Sequence, residues 1–254
     1  MKRLIHWLTA ALLLLFILSP KSYAAGLRLP DQSASAMGMA GAFVGQADDA
    51  SAVWYNPAGI TQLSGIHVSG GVIGIYPSMT HDTISGTTEV SERDIHLPAH
   101  LFIRSKLSNT LSFGFGVTSP FGLSANWEDS STVRYVSTFS KVVTLELNPN
   151  IAYKVNNDLS LAVGMNYIQM RATMEKLLPL PGDPNFRLNG DGTGWGVNAA
   201  VKYQSSDAVA VGLSYRSRIK VDLDGTAGVT GSVNLSNSAN TNITLPDLIQ
   251  FGVS

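Results

Sequence analysis

The sequence predicts an all-β fold, an antiparallel β-barrel that crosses a membrane, and three observations predict it. Long stretches alternate apolar and polar residues with period 2, and the connections between them alternate short and long. An export signal precedes a chain in which no later apolar run approaches the ~20 residues that a spanning helix needs. The composition agrees: 44% hydrophobic, 14% charged, 24 Gly and no Cys suit a hydrogen-bonded closed sheet rather than a disulfide-stapled exported domain. A net charge of −1 gives no electrostatic reason for a nucleic-acid partner.

The elements follow in chain order. Residues 1–24 carry Lys2 and Arg3, the apolar run "LTAALLLLFILSP", and small residues at Ser22 and Ala24, which together read as a signal peptide cleaved after Ala24. Residues 25–64 are rich in Ala, Gly and Ser, lack period 2, and form a compact segment ahead of the first strand. Within it, Asn56-Pro57-Ala58 reads first as a turn, because proline fixes its own φ and pushes the preceding residue out of the helical region.

From 65 to 254 the chain reads as barrel wall, with about eight strands near the 9–11 residues that a tilted spanning strand requires. In "GWGVNAAVKYQ", Trp195, Val197, Ala199, Val201 and Tyr203 share one face; Leu159 to Tyr167 and Val209 to Tyr215 repeat the pattern. Less pure runs lie at 66–76, 95–107, 110–118, 141–155 and 245–254. Tyr76, Tyr153, Trp195 and Tyr203 fall near strand ends, as an interfacial aromatic girdle requires. Tight turns at 108–109, 156–158 and 205–207 alternate with loops at 77–94, 119–140, 173–193 and 222–244. A secreted β-sandwich would also alternate, but it gives no reason for this ordering of loop lengths.

The stretch "AGLRLPDQSASAMGMAGAFVGQADDASAVWYNPAGI" resembles the N-terminal plug of the outer-membrane long-chain fatty acid transporter family (FadL-type). "TSPFGLSANW", "LELNPNIAYKVNNDLSLAVGMNY", "LNGDGTGWGVNAAVKY" and "LPDLIQFGVS" resemble the same family in order. The resemblance implies a fourteen-stranded barrel with the plug, residues 25–64, inside its lumen; the chain would supply about eight strands and be incomplete at its C-terminus. It also implies passive uptake in the bacterial outer membrane: capture at extracellular loops, transfer to a lumen pocket, and sideways exit through the wall. The implied ligand is a long-chain fatty acid or another hydrophobic small molecule, with a monoaromatic hydrocarbon as the alternative. The surroundings are outer-membrane lipid and lipopolysaccharide, the state is a monomer, and no cofactor or metal is expected.

Candidate residues follow for each step. Phe121, Leu123, Trp127 and Tyr135 in the 119–140 loop could capture ligand or pack the loop itself. Leu27 corresponds by position to the family's N-terminal ligand contact. For a carboxylate, the alternation places Arg216, Arg218 and Lys220 on the lumen face, with pairing to Glu146 or Asp222 as their alternative role. Arg171 shares the register of Leu161 and Val163, so it needs a bulge or an interfacial position. Gly114 and Gly116 mark either a kink at a lateral gate or close packing beside the plug, and Asn56 is expected to hydrogen-bond the wall. Burying roughly fifteen methylenes gives on the order of 12 kcal/mol gross, against roughly 1.5–3 for one charged hydrogen bond, so the apolar tube supplies affinity and cations orient the head group.

A lipid hydrolase is the alternative of another class. Neither Gly-x-Ser-x-Gly nor His-Glu-x-x-His occurs, His96 and His100 share a strand face without a third ligand, and "GDGTG" at 190–194 reads as a turn, so the expectation is no enzyme.

Overall fold

The computed structural model describes residues 28–206, 208–231 and 234–254. The signal peptide and Leu27 therefore lie outside the described residues, and Leu123 is described by its backbone. Among the described residues no helix is long and apolar enough to cross a membrane.

The strands are β1 (Ile66–Val72), β2 (Thr80–Asp82), β3 (Thr88–Val90), β4 (Ala99–Lys106), β5 (Leu111–Thr118), β6 (Gly122–Asn126), β7 (Phe139–Lys154) and β8 (Leu159–Leu177). They continue as β9 (Asn185–Ser206), β10 (Val209–Arg216), β11 (Ile219–Thr230), β12 (Leu235–Leu245) and β13 (Leu248–Val253). Eleven of them form one antiparallel sheet in the order β1-β4-β5-β7-β8-β9-β10-β13, with β6 beside β7 and with β11 between β9 and β12. Three wall strands are interrupted: β5 passes into β6, β10 into β11, and β12 into β13. β1 and β13 each have one partner, so the sheet is open along those two edges among the described residues.

The wall reaches further than the alternation suggests. The predicted loop at 173–193 is mostly the paired ends of β8 and β9, and that at 222–244 is mostly β11 and β12. The loop at 77–94 contains the β2–β3 hairpin. In "SNSANTN" both faces are exposed, and in "LNGDGTG" the inward positions are Gly190, Gly192 and Gly194 packed beneath β11, so period 2 vanishes while the backbone ladder persists. Through the middle of β7, β8 and β9 the even positions are mostly buried and the odd ones largely exposed, giving one face to the concave interior and one to the surroundings.

The interior holds the N-terminal segment. A helical turn at Ala34–Gly38 is capped by Ser33, whose Oγ accepts from Ala36 N at 3.2 Å, and a short helix Ala52–Tyr55 leads into a 3₁₀ turn at Pro57–Gln62. Phe43, Val53, Trp54, Tyr55 and Ile60 are buried against Phe102, Ala152, Ala162 and Ala200 of the wall. Each large apolar side chain buried this way contributes about 1.5–3 kcal/mol. The wall makes room with small residues. A Cβ on Gly212 would overlap the Val44 carbonyl, and one on Gly116 would meet Val53 Cγ1 at 3.2 Å.

Gly114 belongs to this packing surface. β5 pairs in continuous register with β4 and β7 on either side of it, so neither Gly114 nor Gly116 marks a break in the wall. A Cβ at Gly114 would stand 2.7 Å from Val53 Cγ2 and 3.0 Å from Ile60 Cδ1. Gly114→Val should therefore displace the segment at a cost of about 1–3 kcal/mol while the wall still forms. Limited proteolysis near Val53, with gel heat-modifiability as the wall control, measures this; unchanged protection would remove Gly114 from the contact.

Candidate functional site

Three interior cations grasp backbone carbonyls of the N-terminal segment. Arg104 of β4 donates to Ile60 O at 2.8 Å and Gly65 O at 2.9 Å, and also to Leu63 O. Lys202 of β9 reaches Gly45 O at 2.7 Å and Gln46 O at 2.6 Å. Arg216 of β10 donates to Trp54 O from Nη2 at 2.8 Å and from Nε at 3.2 Å, and its guanidinium lies 5.1 Å from the Trp54 ring centroid. The segment has too little regular structure to satisfy its own carbonyls, and long cationic side chains reach it from the wall.

Asn56 fastens the same segment. Its Oδ1 accepts from Ala58 N at 3.2 Å, while Nδ2 donates to Val44 O at 2.8 Å and to Val201 O of β9 at 3.2 Å. Pro57 opens the 3₁₀ turn, where a missing N–H costs nothing, and Ala58 is fully buried. The Asn-Pro-Ala stretch is thus both the turn and a contact to the wall.

A polar belt crosses the interior above Trp54. Arg216 Nη1 pairs with Glu146 Oε1 at 2.7 Å, and Nη2 donates to Asn148 Oδ1 at 2.9 Å. Asn166 donates to Glu146 at 2.7 Å, Asn148 to Asn198 at 2.8 Å, and Asn198 to Asn150 at 2.6 Å. Beyond the belt Phe121, Val142, Ile168, Met170, Val221 and Leu223 pack into a buried apolar cluster with Ala172, Ile219 and Leu245, and two of them, Phe121 and Val142, line a chamber of about 340 Å³.

The chamber adjoins a break in the wall. Thr118 pairs with Glu146 and Gly122 with Val143, so Ser119, Pro120 and Phe121 oppose only Thr144 and Leu145, a bulge that turns Phe121 inward. Thr144 Oγ1 satisfies both backbone groups of Phe121, accepting from its N at 3.0 Å and donating to its O at 2.5 Å, and Pro120 O accepts from Leu29 N at 2.8 Å. β4 pairs β5 no further than Leu101 with Val117. The chamber opens there, lined by Leu29, Ile95, Leu97, Ser119, Phe121 and Val143.

Arg28 stands at the inner edge of this opening. Its guanidinium lies 4.6 Å from the Phe121 ring centroid, and Nη2 donates to Pro246 O at 2.9 Å. Its Nε is buried with no partner among the described residues. Burial first, and then the nearby Arg216 charge, lower its pKa to about 10, with Glu146 opposing; it remains a cation at neutral pH.

The sequence-predicted residues are therefore divided. Phe121 reaches the chamber, and Leu123 pairs its backbone with Val142. Trp127 and Tyr135 stay in the outer loops: Trp127 N donates to Thr138 O at 2.7 Å, and Tyr135 OH donates to Asp183 at 3.0 Å. Arg216 lies inside, but Glu146, Asn148 and Trp54 occupy its donors. Arg218 and Lys220 are corrected: the irregularity at Ser217–Arg218 reverses the parity, so Ile219, Val221 and Leu223 turn inward. The two cations are exposed and pair with Asp247 at 3.5 Å and Asp222 at 2.8 Å. Arg171 sits outward in unbroken register, opposite Val143 and Asp191, so no bulge turns it inward. Sequence reasoning missed Arg28, Arg104 and Lys202; the signal was a lone cation at an interior position of a strand or beside the segment.

Residues 15–254 match the family described as "Outer membrane protein transport protein (OMPP1/FadL/TodX)". A long-chain fatty acid transport protein of Escherichia coli O6:H1 is 27% identical over 252 residues, covering 87% of this chain and 56% of that protein. The chain thus spans about half the length of the curated relatives it matches. The crystal structure of a Pseudomonas aeruginosa FadL homologue shares the fold with a TM-score of 0.73 at 17% identity, covering 89% of this chain and 65% of that one. That of the P. putida toluene transporter TodX gives 0.63 at 16%, covering 80% and 61%.

The belt generates a double-substitution test. Arg216→Met leaves the Glu146 carboxylate buried without its cation and should destabilise the fold by about 3–5 kcal/mol, whereas adding Glu146→Gln should recover much of that loss. Urea unfolding of the single and double variants measures the coupling; additive losses would show that the two residues act independently.

Proposed function

Because the chain belongs to the outer membrane protein transport protein family (OMPP1/FadL/TodX), we propose that it carries the ligand-handling half of a passive outer-membrane path for hydrophobic compounds. On this reading residues 1–24 are the leader, 25–64 the plug, and 65–254 the wall. The observation that carries it is the apolar chamber beside Phe121, which adjoins a wall break on one side and rests on a filled interior on the other. An apolar ligand leaving through that break need not enter water, whereas the route past Trp54 crosses buried polar groups. We place the gate at Ser119–Phe121 rather than at Gly114 and Gly116.

The ligand class we propose is a long-chain fatty acid. Arg28, a cation beside the chamber whose buried Nε has no partner among the described residues, supports a carboxylate, which an aromatic hydrocarbon lacks. The chamber supplies affinity by apolar burial, and Arg28 orients the head group. No catalytic step belongs to this reading, in keeping with a family named for transport.

Uptake in a transporter-deficient host tests it. Arg28→Ala should weaken oleate binding about tenfold, the lower end for a charged hydrogen bond, and leave toluene uptake as it was. Wild-type protein that passes neither compound would sink the transport reading, and an equal loss for both would remove the carboxylate role from Arg28.

A further inference from the structure

The exposed face of β7, β8 and β9 forms rows across the strands. Tyr153, Leu161 and Val201 form one row, Ile151, Val163 and Ala199 the next, and after Met165 and Val197 come Leu147, Tyr167 and Trp195. The Tyr167 and Trp195 rings lie 4.5 Å apart, an aromatic pair closing the apolar band at the end away from the tight turns. Two rows further out stands Arg171 between Val143 and Asp191, and diagonal to it Lys141 opposite Thr173. Four residues of tilted strand put Arg171 about 10 Å beyond the aromatic pair, at the depth of lipid head groups.

Two nearby exposed cations have carboxylate partners. Arg187 pairs with Glu175 at 3.4 Å and Lys220 with Asp222 at 2.8 Å. Lys141 and Arg171 have no carboxylate within 4.0 Å among the described residues, although Asp191 stands across from Arg171. Both line an outer cavity of about 750 Å³ together with Val143, Leu145 and Ser119. Ser119, Lys141 and Val143 also line the cavity at the wall break, so the two cavities meet there.

We propose that Lys141 and Arg171 form a docking site on the outer wall for the carboxylate of a single-chain amphiphile that has left through the break, its tail laid over Leu145 and Leu147. This rests on the sideways exit described above and adds its first station outside the lumen. Two cations at head-group depth, continuous with the opening and followed inward by apolar rows, match a molecule with an anionic head and an aliphatic tail. A hydrocarbon without a head group has no use for the station.

Photolabelling in phosphatidylcholine vesicles tests the site without requiring uptake. Reconstituted protein is exposed to a diazirine-bearing stearate and to its methyl ester, and label is mapped on β7 and β8. The acid should label these strands about threefold to fivefold more than the ester, Lys141→Ala with Arg171→Ala should abolish that preference, and Lys141→Arg should retain it. Equal labelling by acid and ester in unsubstituted protein overturns the proposal, as does a preference that survives the double substitution. Abolition of the preference by an added phosphorylated glycolipid overturns it too, assigning the site to a resident lipid. Oleate uptake by the same proteins separates the two readings: absent uptake with the labelling preference intact fails the transport reading alone.

Discussion

A backbone carbonyl inside a barrel has no bulk water to fall back on, and the N-terminal segment brings many of them there in non-repetitive conformations. Arg104, Lys202 and Arg216 answer that constraint by donating to Ile60, Leu63, Gly45, Gln46 and Trp54. Everything else about the interior follows from the demand. The wall strands carry cations inward, the cations need compensation, and Arg216 finds it in Glu146, itself held by Asn166. Alanines and glycines on the same strands let the segment approach closely enough for those donors to reach. Polar satisfaction and apolar packing therefore specify one docked position together.

The second organising feature is interruption. At Ser217–Arg218 the parity reverses, so one strand gives Arg216 to the polar belt and Ile219, Val221 and Leu223 to the buried apolar cluster. At Ser119–Phe121 a bulge built around a proline, which has no N–H for the ladder, turns an aromatic ring inward, and the pairing of β4 with β5 stops at Leu101 and Val117. The proposed path of the ligand is defined by these departures from regular sheet.

Much of this was legible in the sequence, and the misses have physical causes. The alternation around Trp195 and Leu161 identified wall strands because one face meets an apolar medium. It failed for "SNSANTN", where both faces are exposed, and for "LNGDGTG", whose inward positions are glycines beneath β11, so that only the backbone ladder marks the strand. The parity rule put Arg216 inside, and it misplaced Arg218 and Lys220 because a single irregular residue pair shifts every side chain that follows. Asn56 was readable as a wall contact from the family resemblance, which puts the segment inside the barrel just before the first strand. Arg28, Arg104 and Lys202 were not singled out, since their partners are backbone carbonyls, which leave no trace in composition.

The claim on which the account depends is that interior donors hold the segment in place and thereby close the straight route, leaving the side of the wall as the path. Planar-bilayer conductance of the protein with Arg104→Met, Lys202→Met and Arg216→Met combined tests it most directly. The account predicts no steady ion current through the unsubstituted protein and a persistent current once the three donors are gone. A substituted protein that inserts normally and stays closed to ions would contradict it.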